Sequence, residues 1–452
     1  MFNLALIIIL SGLVWRRYSR SYEDGLPLVA GLLAVLPDSV CIDALPTITL
    51  NRLLIGYSVI FWWRNPDLRR GITQAPLYKI QLALILFFLV STLPSEFLPL
   101  SIKRFIFDLV ESFALFVVVQ SSVTDRKQAV RLVNAIGYGL LFVAVLGFGE
   151  RFWRFELFDP GSAASGRFSW VPENAFDYIH TTYLHRILFG VACALGAVKF
   201  LIDSALATDR WSTIKSLGMC FICGSSLFFS NSRGPWIAFI LASLLLVVLF
   251  PKKFLKKALV MGLLVLVVLL MRPGIWSTIS GIAGQTVDNE SFRGGSFAWR
   301  MIVWNEAVKQ ISKSDPFHFL FGYGGGSQSM TDFGKAELHP GLYLPLDSWD
   351  CEFALILYER GVVGLVCTVL LFGLGITQVV RHLNRHRLTL DAAMTWTLAC
   401  LAILFFMMTN VAIFAPQLTF ISAFALGIAS KYNATYGFES EQPEPEAMVY
   451  AT

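Results

Sequence analysis

The chain has 452 residues, 56% hydrophobic and 15% charged, with a formal net charge of +5. Its apolar residues gather in long stretches, which excludes a soluble globule and describes a polytopic membrane protein. No alternating strand pattern of a barrel is present, so the spans are helices, and the positive charge reads as basic loops rather than a nucleic-acid surface.

The chain opens on an apolar run, Met1 to Trp15, followed by Arg16, Arg17 and Arg20. A secretory signal has the reverse order, so this is a first span that begins outside or a short re-entrant anchor. Spans then follow at 26–44, 47–63, 78–97, 103–121, 129–149, 184–204, 212–230, 233–250, 255–271, 351–377, 391–412 and 415–431. Basic connections lie at Arg64 to Arg70, Arg126 to Arg131, Lys199 to Lys215, Lys252 to Lys257 and Arg381 to Arg387. Every second connection is therefore basic and inside, which places 45–46, 98–102, 150–183, 231–232, 272–350 and 413–414 outside. Trp62, Trp63, Trp153, Trp170, Trp236 and Trp276 fall near span ends, as an interfacial belt requires.

The expected fold is an all-α polytopic membrane protein of about 12 to 13 transmembrane helices. Its divisions are an N-terminal bundle (1–271), an outer lid loop with helices (272–350), C-terminal spans (351–431) and an acidic, Pro-containing tail (432–452) that reads as a disordered inner end. The Cys220-x-x-Cys223 pair lies inside a span, where thiols act as small apolar groups. Cys41 and Cys351 fall near the outer face, and the sequence leaves a disulfide between them open.

Two outer loops stand out by length. The first, 150–183, carries Arg151, Arg154, Arg167, Glu173, Asn174 and His180. The second has a helical stripe of Phe297, Met301, Trp304, Val308 and Ile311, with Arg300, Glu306 and Lys309 off it, and Phe321-Gly-Tyr-Gly-Gly-Gly326 breaks that helix. Its length predicts a folded lid rather than a bare connection.

The chemistry gathers at the outer rim. Ser230-Asn-Ser-Arg233-Gly-Pro-Trp236 pins Arg233 at the water–lipid boundary, with Gly234 for a tight bend, Pro235 in the first helical turn and backbone N–H groups beside the guanidinium. Arg300 sits on the lid helix, Lys103 and Arg104 begin a span from outside, and Arg52 lies just inside another. Each alone reads equally as a snorkelling or solvated charge. Together, on the side where cations are scarce, they indicate a bound anion such as a lipid-linked diphosphate. Asp347, Asp350 and Glu352 bring carboxylates to the same face as candidate proton acceptors, with Ser348 or Asp350 as a plain helix cap the alternative, and His339 is a second candidate base or sugar contact. No metal-ligand spacing and no nucleotide loop is present, so neither metal nor cofactor is expected, and energy would come from the substrate's own diphosphate bond.

These residues resemble the O-antigen ligase/polymerase-like superfamily of bacterial envelope proteins, which includes the exopolysaccharide polymerases. Ser232-Arg233-Gly234-x-Trp236 looks like its Ser-Arg-Gly segment. Trp299-Arg300, with Trp304 and Ala307, looks like its lid-helix arginine pattern, and Gly322-Tyr-Gly324 resembles the glycine segment that follows. The stretch Asp350-Cys-Glu-Phe-Ala-Leu-Ile-Leu-Tyr-Glu359-Arg-Gly361-Val-Val-Gly364 resembles the family's His-Asn-x-x-Leu and Glu-x-Gly-x-x-Gly. The family's frequent His is Asp350 here and the following Asn is Cys351.

The resemblance implies a metal-independent, inverting membrane glycosyltransferase of the GT-C-like kind in the bacterial inner membrane, its site facing the periplasm. The donor would be an oligosaccharide on undecaprenyl diphosphate. Arg233 and Arg300 would hold the diphosphate, Asp350 would activate the acceptor hydroxyl, with His339 or Asp347 in reserve, and Arg52, Lys103 and Arg104 would assist binding. Partners are the bilayer and, by resemblance, a chain-length regulator and other polysaccharide-assembly proteins, with no nucleic acid. The replaced His tilts the reading towards a polymerase, against a ligase acting on lipid A-core or a protein O-oligosaccharyltransferase. A polysaccharide transporter or flippase predicts charges near the bilayer midplane and two matching halves, and a non-catalytic scaffold would tolerate loss of the outer arginines.

Overall fold

The structure is a computed structural model that describes residues 2–42, 48–69, 76–153, 179, 181–183, 185–271, 292–330, 335–339, 342–345, 349, 351–385, 391–410 and 416–432. Helices cover the expected spans: α1 (Phe2–Arg20), α2 (Tyr22–Val35), α3 (Leu50–Arg64), α4 (Pro76–Thr92), α5 (Leu98–Asp108), α6 (Leu115–Ser122), α7 (Arg126–Trp153), α8 (Arg186–Leu206), α9 (Arg210–Phe229), α10 (Arg233–Leu249) and α11 (Pro251–Met271). A π-helical turn, Leu109–Ala114, joins α5 to α6 as one continuous rod. In the lid region lie α12 (Phe292–Lys313) and α13 (Pro316–Phe321), and then come α14 (Glu352–Arg385), α15 (Ala392–Met407) and α16 (Pro416–Ala429). Among the described residues four helices, α7, α8, α9 and α14, are long and apolar enough to cross a membrane, and α4, α10, α15 and α16 are shorter apolar helices. The protein is an all-α polytopic membrane protein.

Two antiparallel hairpins complete the described structure. The first pairs β1 (Cys41–Ile42) with β2 (Ile48–Thr49), and the second, in the lid region, pairs β3 (Lys335–His339) with β4 (Leu342–Pro345).

Helix direction alternates as the charge pattern predicts, and the contacts at the two ends of the bundle show it. At one end, the amide of Gln417, entering α16, donates to the carbonyls of Leu36 and Thr182, and Glu352 N–H at the start of α14 donates to Met408 O after α15. At the other end, Arg126 of α7 pairs with Asp391, the cap of α15, at 2.9 Å. Tyr22 at the start of α2 accepts from Ser122 at the end of α6. Helix α8 runs through the centre, buried almost continuously from Ile187 to Ile202.

Three expectations about extent change. The span expected over 26–44 ends at Val35, because Pro37 drives Leu36 out of helical geometry to φ −73°, ψ 128°. The freed carbonyl of Leu36 accepts from Asn51 and Gln417, so residues 36–42 cap the bundle end. Lys199 is not a loop cation: it is 1% exposed within α8 and paired with Asp203 one turn on. Burying an ammonium is tolerated only with such a partner. The stripe read on the lid helix is also displaced. Met301 and Val308 are 46% and 41% exposed, whereas Val303, Ala307 and Ile311 are buried.

Candidate active site

The displaced stripe matters for chemistry. Positions 300, 303, 307 and 311 follow helical spacing, so Arg300 lies on the packed face of α12 and not off it. That face seats Val303 and Ala307 against Trp349, Cys351, Ala354 and Tyr358. The charge of Arg300 reaches Cys351, one residue before α14.

Arg233 arrives at the same place by a different turn. The residue that bends the chain between α9 and α10 is Asn231, at φ +50°, and not Gly234. Gly234 sits in the first turn of α10, where its missing side chain leaves room for Met407 and Asn410; a Cβ there would stand 3.2 Å from Met407 Cε. The turn is pinned by Trp236, whose indole N–H donates to Leu227 O at 2.9 Å and whose ring stacks on Phe228. The Met407–Asn410 turn touched by Gly234 also receives the N–H of Glu352 and the thiol of Cys351 through Met408 O. The starts of α10 and α14 therefore meet on the turn that ends α15, and Arg300 stands over the same junction.

The glycine segment closes the site from the side through a break in α14. Gly361 departs from helical geometry at φ +66°, ψ −169°, which disrupts the helical hydrogen-bond ladder around Tyr358 and Glu359. The loop supplies donors to their carbonyls: Tyr323 N–H donates to Tyr358 O at 3.0 Å and Gly324 N–H to Glu359 O at 2.9 Å. Ser91 of α4 adds a hydroxyl to Glu359 O, and Gly326 N–H reaches the Glu359 carboxylate at 2.6 Å. Ser95, in the turn between α4 and α5, and Ser101, in the first turn of α5, donate to Tyr323 O and Gly325 O. Each such bond is worth about 1 kcal/mol net, so this set offsets the helical bonds the kink removes. A run of rings, His318, Tyr323, Tyr358 and Trp349, packs beside it with centroids 4.5 to 5.0 Å apart.

Arg104 lies under this loop, its stem so close to Gly325 that a Cβ there would stand 2.9 Å from Arg104 Cγ. Its charge is faced by Asp108, Glu359, Glu352 and Glu111. Its Nε is buried without a hydrogen-bond partner. Arg104 and Arg300 are thus linked electrostatically to Glu352 and Cys351 at the start of α14, and Arg233 begins the helix whose first turn packs on the same Met407–Asn410 turn.

The other candidates divide. Arg52 pairs with Glu111 at 2.9 Å and lies 3.7 Å above the Phe107 ring, while exposed Lys103 stands 5.7 Å from the same ring. The backbone of His339 lies in β3 opposite Leu342. Asp347, Asp350 and Ser348 lie outside the described residues, as do Arg154, Arg167, Glu173, Asn174 and His180. No disulfide joins Cys41 to Cys351. Among the described residues no group of three or more His, Cys, Asp or Glu side chains is placed to hold a metal ion.

The sequence reading did not single out Asp108, Glu111 and Arg360. Arg360 is 5% exposed, ion-paired with Asp108 and stacked 4.0 Å from the Phe88 ring. The available signal was their position: ionisable residues inside predicted spans face the bundle interior and mark function.

No curated protein matches the chain. Residues 218–369 match the family described as O-Antigen ligase. That segment runs from within α9 into α14 and contains Arg233, Arg300, the glycine segment and the Gly361 kink. The segment that carries Arg233, Arg300 and the glycine loop is thus similar to the O-antigen ligase family.

Proposed function

We propose that the protein is a glycosyltransferase that joins oligosaccharide repeat units carried on a polyprenyl diphosphate at the outer face of the bacterial inner membrane. What supports the reading is that each of three arginines is tied to α14 or to the turn at its start: Arg300 through its charge on Cys351, Arg104 through its charge on Glu352 and Glu359, and Arg233 through the neighbouring Gly234, which packs on the Met407–Asn410 turn. Preorganised guanidinium groups there would bind the donor diphosphate and stabilise the charge that grows on it as the glycosidic bond breaks. Asp350, the proton acceptor of the sequence reading, would take the proton of the acceptor hydroxyl as it attacks the anomeric carbon. A single displacement inverts that carbon and releases polyprenyl diphosphate. The lid region 272–350 would cover the donor, and no metal would be required.

The second reading is a ligase that passes the glycan to lipid A-core, favoured by the description of the family that residues 218–369 match. Purified protein with a lipid-diphosphate-linked repeat unit separates the two. A glycan ladder from wild type, lost by about 100-fold or more in Arg233→Ala and Arg300→Ala and reduced in Asp350→Asn, is the result expected of a polymerase. Transfer that begins only when lipid A-core is added means ligase. Failure with both acceptors removes the enzyme reading in favour of transport or scaffolding.

A further inference from the structure

The four carboxylates that face Arg104 are engaged in interactions of their own. Asp108, one turn along α5, is held by Arg360 from α14. Glu111, in the π turn, is held by Arg52 from α3. Glu359 accepts from the N–H of Gly326. The fourth, Glu352, is buried at the start of α14.

An arginine and an aspartate four positions apart on a helix are natural partners, and in a low-dielectric bundle that attraction is far stronger than at a surface. Here the pair does not form. Among the described residues Arg104 contributes to none of the ion pairs, and its Nε has no hydrogen-bond partner, although the loop covers its stem. Leaving the buried Nε of a guanidinium without an acceptor is costly, and a site bears such a cost where an external anion completes it.

We propose that Arg360 is a positioning residue that sequesters Asp108 so that Arg104 stays open to an anionic group of the lipid-linked donor. This rests on the donor reading above and deepens it. The acids around Arg104 supply the field that lets a cation reside in the bundle, while their own partners keep them from closing on it. Losing Arg360 releases Asp108, and the freed carboxylate folds back onto Arg104 and competes with substrate.

The test measures binding apart from turnover. Full-length protein in nanodiscs is titrated with undecaprenyl diphosphate lacking sugar, with undecaprenol as the uncharged control. Wild type is expected to prefer the diphosphate. Arg104→Ala and Arg360→Met should each weaken it by about tenfold or more, the scale of a lost charge-assisted bond. Arg360→Lys should retain most binding. The decisive variant is Arg360→Met/Asp108→Asn, which releases no carboxylate and should recover binding to within about threefold of wild type.

In the ladder assay, Arg360→Met should raise KM for the donor more than it lowers kcat. Binding lost only in proportion to the folded fraction, or a stable double variant that fails to recover, overturns the proposal. Where Arg360→Met does not fold, the double variant decides alone: wild-type binding supports sequestration, and binding like Arg104→Ala refutes it. If wild type itself shows no preference for diphosphate over alcohol, and Arg233→Ala and Arg300→Ala change nothing, the donor reading fails first.

Discussion

At Gly361 the backbone of α14 takes φ +66°, ψ −169°, a conformation open in practice to glycine. A Cβ at this position would stand 2.3 Å from Leu320 O and 2.4 Å from its carbonyl carbon, and one at Gly322 would stand 2.4 Å from the Glu359 carbonyl carbon. The two glycines are thus the two sides of one contact, the loop laid into the kink. Gly361→Ala should cost about 1–3 kcal/mol in backbone strain alone, with the clash adding to it. The expected result is a lower thermal midpoint, faster proteolysis within 315–345 and loss of transfer activity. A variant with wild-type stability and activity would show that the contact is dispensable. Sequence alone reveals the glycines as breakers of regular structure, and it placed Gly322-Tyr-Gly324 and Glu359-x-Gly361 in separate motifs. That the two dock on each other depends on a pairing across more than thirty residues, which local periodicity does not encode.

At the scale of elements, the spans were legible because a bilayer imposes one simple rule, about twenty apolar residues per crossing. The face of a helix at the edge of the bundle was less so. On α12 the apolar stripe and the packed face differ: Met301, Ile302 and Val308 are exposed, while Arg300 belongs to the inward row with Val303, Ala307 and Ile311. Exposed apolar residues are ordinary on a protein surface, so hydrophobicity alone does not mark the inward face of a helix. The short helix α13 shows the opposite case, governed by polar chemistry that can be read directly. Asp315 caps it, accepting from Phe317 N–H at 2.8 Å, and the His318 ring beside it holds the carboxyl below the ordinary carboxylate range. Because the folded value is depressed, the stabilisation is present above the unfolded value, about 4, and is lost as pH falls through the folded one. His318 also stacks on Tyr323, so loosening the cap should loosen the docked loop. Amide exchange in 316–323, corrected for its intrinsic rate, should quicken on acidification below about pH 4 in wild type. Asp315→Asn should flatten that step and exchange faster at neutral pH. An unchanged pH profile in the variant would assign the step to another group.

For the whole molecule, the argument turns on which end of the bundle faces out. The cluster of Arg104, Arg233, Arg300 and Glu352 lies at the end where α5, α10 and α14 begin, and Arg126 and Asp391 meet at the opposite end. Lys252, Lys253, Lys256, Lys257, Arg381 and Arg385 lie at the start of α11 and the last turns of α14, so the cations read as loops are carried largely on helix ends. The positive-inside rule counts such residues wherever they fall near span ends, so the orientation it gives is unchanged. The sequence reading set the charges at one face as an argument against transport, yet Asp108, Glu111 and Arg360 are buried within helices. Their partners are one another and Arg52, in pairs near the cluster, rather than a relay repeated in two halves. A lipid-diphosphate transferase with its donor outside requires the cluster to face the periplasm. Single cysteines introduced at Ser232, Lys253 and Arg385, in a background free of the seven native thiols, test this with a membrane-impermeant maleimide. Label on Ser232→Cys in intact cells, with Lys253→Cys and Arg385→Cys labelled only after permeabilisation, is the expected pattern. The reverse pattern would put the arginines in the cytoplasm, where a periplasmic glycan cannot reach them, and would leave the bundle to be explained as a carrier or a scaffold.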